Sequence, residues 1–245
     1  MKTLILPLLL VALGVSMAPA IHAADDPKPA EGAKIKTLVV GGGSSHDFNK
    51  WFNVADLKTL NESGIATATY TDKPDTVLAA LKDLDVLYLS NNQAMPGDDL
   101  RKGVFDFLES GKGILLVHAA TWYNWGDWKE YNRVIVGGGT HGHDKYGEFE
   151  VTVDDPAHPI MAGLPATFKI KDELYHYEHD AKGTDIKVLA TGKSPIDGKT
   201  YPVVFIVQSP KGRTVGITLG HDGAAHNLPA YQSLLTNSLK WLTQK

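Results

Sequence analysis

Three short apolar runs constrain this chain more than any other feature. Ile35–Val40 (IKTLVV), Val86–Ser90 (VLYLS) and Gly113–Val117 (GILLV) are too short for packed helices and too uniformly apolar for half-exposed strands. A strand reads this way when both its faces are covered, which is the condition of a parallel sheet. Ala66–Tyr70 joins them as a fourth strand. Between the strands lie segments with helical spacing. Asn49–Ser63 carries an apolar face of Trp51, Phe52, Val54, Ala55, Leu57 and Leu60, and Thr76–Leu81 reads as a short helix. Asp98–Ser110 turns Leu100, Val104, Phe107 and Leu108 inward and stops at Gly111. This βαβαβαβ alternation predicts an α/β fold: an open, mostly parallel sheet with helices on both faces.

The second half changes character. Phe149–Val153, Tyr201–Val207 and Thr214–Leu219 read as further strands, and Pro229–Leu242 as a closing helix. Segments 120–148 and 155–200 hold much loop for their length, and long loops in compact domains are usually functional.

The N-terminus reads as an address. Lys2 precedes an apolar run from Leu4 to Met17, followed by small residues, the layout of a secretory signal peptide cleaved after Ala23. The alternatives are cleavage after Ala20 or an uncleaved anchor, although about 14 apolar residues fall short of the roughly 20 that span a bilayer. The expected organisation is therefore a signal peptide over 1–23, a polar, Pro-containing disordered leader over 24–33, and one α/β domain over 34–245, in a periplasmic or secreted protein. Cleavage removes Lys2 and takes the formal charge from −4 to −5. A mildly acidic surface argues against nucleic acid, or an anionic membrane after cleavage, as partner. The absence of Cys excludes disulfides and thiolate chemistry.

Ligands of open α/β sheets bind outside the carboxyl ends of the strands. Three predicted strands end there in polar clusters: Ser44-Ser45-His46-Asp47, His118, and His221-Asp222. Far apart in sequence, they should meet at one edge of the sheet. The loop GGGTHGHDKYGE adds His141 and His143, an i, i+2 pair that can point one way from a strand and bind Zn²⁺ or another divalent ion. A metal cofactor is thus one expectation, with His118, His141, His143 and His221 as candidate ligands. DELYHYEHD, from Asp172 to Asp180, packs carboxylates, tyrosines and two histidines together. Read as a strand it sets Glu173, Tyr175 and Tyr177 on one face, and it suits acid/base work or a sugar clamp as well as a solvent-facing strand. The aromatics Trp122, Tyr123, Trp125, Trp128 and Tyr131 form either a platform for sugar rings or a loop folded over the core. Gly41-Gly42-Gly43 is no dinucleotide fingerprint, since the third glycine would fall at His46. GK[ST], GxSxG and HExxH motifs are also absent, and the glycines read as a tight turn near a ligand.

In this order the stretches SSHDF, GKGILLVHAATW, THGHDKYGEF, DPAHPIMAGLP, KDELYHY and GRTVGITLGHD resemble the ThuA-like (trehalose utilisation) family over essentially the whole mature chain. The resemblance implies a flavodoxin-like, class I glutamine amidotransferase-like fold. It implies a pocket containing His46, His118, His143, Glu173, Tyr175 and His221. Family members often hold the third histidine in a GHP setting, whereas His143 precedes Asp144 here, so His141 is an alternative. The amidotransferase reaction needs a Cys nucleophile where this chain has His118, so that activity is excluded. The resemblance further implies disaccharide metabolism beside an oxidoreductase that makes 3-keto sugars. A neutral His118 or His143 would then remove the acidified C2 proton, and a metal or His221 would polarise the ketone.

Three readings follow. The first is an enzyme acting on a sugar or keto-sugar through His118, His143, Glu173 and His221, with His46, Asp47, Trp122, Tyr175 and Asp222 binding substrate. The second is a non-catalytic carbohydrate-binding protein. The third is a metal-dependent hydrolase of another small polar substrate.

Overall fold

Eleven strands build two sheets in the computed structural model, which describes Met1 and residues 34–244. The expected signal peptide and leader lie outside the described residues, apart from Met1. In chain order the strands are β1 (Ile35–Val40), β2 (Ala66–Thr71), β3 (Val86–Leu89), β4 (Gly113–Val117), β5 (Gly138–His143), β6 (Gly147–Val153), β7 (Thr167–Asp172), β8 (Tyr175–His179), β9 (Ile186–Lys193), β10 (Thr200–Val207) and β11 (Arg213–Ile217). The large sheet has the order β2-β1-β3-β4-β11-β10-β9-β6-β7, and β5 pairs with β8 separately. From β2 to β11 every pairing is parallel; from β11 to β7 every pairing is antiparallel.

The parallel half is the doubly wound unit that the apolar runs predict. Successive side chains enter opposite cores, as the two-residue period requires. Val39, Leu115, Val117, Val215 and Ile217 face one layer with Phe52, Leu60 and the closing helix Pro229–Leu242. Leu38, Val40, Leu87, Leu89, Ile114 and Leu116 face the other, with the helix Asp98–Glu109. That helix starts with Asp98 and Asp99, which complement its N-terminal dipole, and ends at Ser110 and Gly111, where a positive φ of 87° stops it. Pro229 opens the closing helix at its first turn, where no N–H is needed. Leu234, Leu235 and Leu239 on it are fully buried, each contributing about 1.5–3 kcal/mol. Among the described residues no helix is long and apolar enough to cross a membrane.

The loop-rich segments hold more structure than their sequence suggests. Segment 155–200 contains β7, β8 and β9, and segment 120–148 contains β5. TFKIKD and IKVLATGK alternate polar and apolar residues, as strands with one wet face do, and this antiparallel extension forms the far half of the large sheet. The DELYHYEHD stretch does form a strand over Tyr175–His179, with Tyr175 and Tyr177 buried on one side. The aromatic loop divides. Trp125, Trp128 and Tyr131 sink into the second core layer, with Trp125 Nε1 donating to the Gln93 carbonyl (2.9 Å) and Tyr131 Oη to that of Ala120 (2.7 Å). Trp122 alone of the three tryptophans opens onto the site described next.

Candidate active site

The carboxyl ends of β1, β4 and β11 come together, and their polar clusters with them. Behind the first, Gly43 takes a φ of 130°, and a Cβ there would overlap the Asn92 side chain, so only glycine fits this turn. The turn delivers His46. At the end of β4 the chain bends into a short helical turn, and His118 adopts φ 47°, the single positive value outside glycine among the described residues. Such a backbone costs about 1–3 kcal/mol, and strain of this kind gathers at functional sites. His118 occupies the strand-to-helix turn where the resembling amidotransferases carry their nucleophile. Its imidazole is fully buried and aims at the neighbouring strand ends.

Four donor atoms converge. His46 Nε2 lies 3.0 Å from His118 Nε2 and 3.1 Å from His221 Nδ1. His221 Nδ1 lies 3.1 Å from Glu173 Oε2, which is 3.9 Å from His118 Nε2. Tyr175 Oη stands 3.0 Å from His118 Nε2, and the two rings stack at 4.3 Å. Two anchors fix the histidines from behind: His118 Nδ1 donates to the Thr218 carbonyl (2.7 Å), and His46 Nδ1 meets Ser45 Oγ (2.6 Å).

The electrostatics separate these groups. Burial, assisted by the neighbouring His221, pushes His46 down to about 4. Burial likewise drives His118 well below the usual histidine range, with His46 adding to it. The hydrogen bond to Glu173 raises His221. Burial alone would raise Glu173, but the His221 hydrogen bond and charge bring it below the usual carboxylate value. Near neutral pH His46 and His118 are therefore uncharged, and Glu173 is a carboxylate beside His221.

In front of this cluster is a cavity of about 280 Å³ lined by His46, Trp122, His143, Glu173, Tyr175 and His221, with Ser45, Asn92 and Asn124 around them. His143 Nδ1 donates to the Asp144 carbonyl (2.7 Å) and is 3.7 Å from Glu173 Oε1. His118 does not line the cavity; it sits behind His46 and Tyr175. His141 is not brought to the cluster. A register shift between Thr140 and His143 interrupts the pairing of β5 with β8, so the i, i+2 histidines diverge. His141 stacks on Tyr123 at 4.1 Å and lines a second cavity with Arg133 and Asp180. Asp47 and Asp222 also stay outside. Asp47 Oδ1 accepts from Lys50 N (3.0 Å); Asp222 caps the helix Gly223–His226 through Ala224 N (2.8 Å) and accepts from Tyr146 Oη (2.7 Å).

Two supports escaped the sequence reading. Asp172, wholly buried, accepts from the backbone N–H groups of Gly220 (2.7 Å), Glu173 (2.7 Å) and His221 (3.1 Å), tying two cluster residues to one carboxyl. Burial outweighs these donors and lifts Asp172 to about 6. Beneath it, His226 donates from Nε2 to the Gly220 carbonyl (3.0 Å) and pairs through Nδ1 with buried Asp56 (2.6 Å). Asp56 also accepts from Tyr88 (2.5 Å) and Tyr231 (3.2 Å).

Comparisons with known proteins agree with this architecture. The family model for ThuA, trehalose utilisation, matches residues 36–242. A ThuA-like protein from Parabacteroides merdae superposes with a TM-score of 0.77 at 21% identity, covering 86% of this chain and 91% of that one. A ThuA-like protein from Bacteroides uniformis gives 0.70 at 21% identity, covering 88% and 94%. A GMP synthase component from Thermoplasma acidophilum gives 0.55 at 15% identity, covering 85% and 94%, which places the fold among the glutamine amidotransferase-like proteins. No match was found among curated proteins.

Proposed function

The chain belongs to the ThuA (trehalose utilisation) family, and from that premise we propose that it is an enzyme acting on a sugar or keto-sugar, cleaving or isomerising it by histidine-based proton transfer. One observation carries this reading: histidine, glutamate and tyrosine side chains from separate segments meet in one small pocket at the carboxyl ends of the parallel strands. Its volume of about 280 Å³ lies at the bottom of the small-molecule range of about 300–1,000 Å³, which suits one sugar ring with a second projecting outward. Trp122 offers the apolar wall a ring face needs, and Ser45, Asn92 and Asn124 offer partners for hydroxyl groups.

His143 is the proton-transfer group. Because its Nδ1 donates to a carbonyl, the neutral ring carries its lone pair on Nε2. A base there removes the proton on the carbon beside a keto group. His221, raised by Glu173, donates a hydrogen bond to the oxygen on which charge then develops. In an isomerisation the proton returns to the neighbouring carbon. In an elimination the C1–O bond breaks and the proton goes to the departing glycosidic oxygen. His118 acts from behind by holding His46, and an oxidoreductase upstream supplies the keto group. Export to the periplasm or beyond belongs to the same proposal; a mature protein whose N-terminal sequencing begins at Ala24 is its test.

The functional test is incubation with trehalose and with its 3-keto derivative, followed by NMR. Turnover of the keto-sugar, lost in His143→Ala with unchanged thermal unfolding, is the expected result. Binding of either sugar with no turnover would replace the enzyme by a carbohydrate-binding protein.

A further inference from the structure

The hydrogen-bond pattern of the cluster does not close on itself. His118 must carry its proton on Nδ1, because the Thr218 carbonyl can only accept, so Nε2 presents a lone pair. For the 3.0 Å contact to be a hydrogen bond, His46 Nε2 must then donate. His221 Nδ1 would have to accept from that same N–H at 3.1 Å. Yet His221 Nδ1 must donate if it is to satisfy the Glu173 carboxylate, also at 3.1 Å. With Glu173 ionised, at least one pair among these nitrogens faces N–H to N–H or lone pair to lone pair.

A cation removes the conflict, since every one of these atoms can then turn a lone pair inward. We propose that His46 Nε2, His118 Nε2, His221 Nδ1 and Glu173 Oε2 form a binding site for one divalent transition-metal cation of the Zn²⁺ class, open toward the pocket. The four atoms lie within 4.8 Å of one another, with the close contacts at 3.0–3.9 Å. Metal–ligand bonds of about 2.0–2.1 Å set tetrahedral edges near 3.3–3.4 Å, so the donors already stand at ligand spacing. Three imidazoles and one carboxylate without sulfur favour Zn²⁺ and its first-row neighbours over Ca²⁺ or Mg²⁺.

The surroundings match such a site. His118 is oriented by a backbone carbonyl and His46 by a serine hydroxyl, the outer contacts that fix metal-binding imidazoles. Asp172 holds the backbones of two ligand residues, Glu173 and His221. The strained His118 backbone is what aims its Nε2 at the other three. The pocket side admits a further oxygen ligand, water or a sugar oxygen, whose carbonyl or hydroxyl the cation would polarise. The inference rests on this pocket being the functional site, but its test reads metal and not turnover.

Purified protein is stripped with chelator and titrated with Zn²⁺ and Co²⁺ by calorimetry, with Co²⁺ also followed by its visible absorption. One equivalent should bind, Co²⁺ should give the bands of a four- or five-coordinate nitrogen–oxygen site, and His46→Gln and His221→Ala should each weaken binding by at least about 100-fold. His141→Ala, remote from the cluster, should bind as the wild type does. Thermal unfolding of the metal-free variants checks their folding, and Glu173→Gln gives a second test that keeps side-chain shape. Binding well below one equivalent, or equal binding by the folded His46 and His221 variants, would overturn the site. One equivalent bound with no sugar turned over would uphold the site and contradict the enzyme reading; turnover by protein that binds no metal would do the reverse.

Discussion

Replacing Asp56 by alanine removes the acceptor at the base of the site. The carboxylate is fully buried and receives His226 Nδ1 at 2.6 Å, Tyr88 Oη at 2.5 Å and Tyr231 Oη at 3.2 Å. Removing one member of a buried ion pair costs about 3–5 kcal/mol, because the partner charge is left without compensation. For a domain of this size each kcal/mol is worth roughly 2–4 °C, so Asp56→Ala should melt about 6–20 °C below the wild type at pH 6. The pH dependence gives a second signature. Burial alone would lower His226, but the Asp56 charge and hydrogen bond raise it above its unfolded value of 6.5. A raised folded-state pKa contributes stability that is complete below about 6.5 and lost as pH climbs through the folded value. The gap between variant and wild type should therefore narrow at pH 8. Urea unfolding followed by circular dichroism at the two pH values measures both. A loss below about 1 kcal/mol at pH 6, or a gap that widens at pH 8, would refute the charged-pair account.

Other consequences follow from named contacts. Asp172→Asn turns an amide N–H₂ toward the Gly220 N–H that the carboxylate now accepts, so Glu173 and His221 shift. Steady-state kinetics on the keto-sugar should show kcat down by about 10–100-fold with KM little changed. Glu173→Gln removes the first cause of the raised His221, and proton NMR titration should find the His221 pKa lower than in the wild type. Trp122→Ala strips the apolar wall of the pocket, and calorimetry should find sugar binding weakened by up to about 10-fold, as expected for about 0.5–1.5 kcal/mol of ring contact.

What could be read from the chain follows from where each residue sits. β1, β3 and β4 were legible because both their faces are covered, which leaves an apolar run and fixes the sheet class. β7 and β9 were not, since TFKIKD and IKVLATGK have a wet face and their antiparallel partners lie far off in sequence. β5, with GGTHGH, has almost no intrinsic strand preference and exists by pairing with β8. His46, His118 and His221 were legible as strand-end residues of one sheet edge, and Glu173 and Tyr175 from the carboxylate–tyrosine stretch. The choice between His141 and His143 depends on a register shift that no local pattern announces. Asp172 is one acid among several in its stretch, and His226 reads as an ordinary helix residue until Asp56, 170 positions away, is seen against it. Asp47 and Asp222, adjacent to site histidines in sequence, serve backbone N–H groups instead.

At the centre of the proposed reaction, His143 in this pocket removes the proton beside the keto group of a sugar. Incubating the protein with 3-keto-trehalose in D₂O and following the C2 proton by NMR tests this most directly. The C2 signal should be lost or exchanged at an enzyme-dependent rate, and His143→Ala should leave it intact. A C2 proton that persists while the sugar is consumed, or exchange that continues undiminished in His143→Ala, would contradict it.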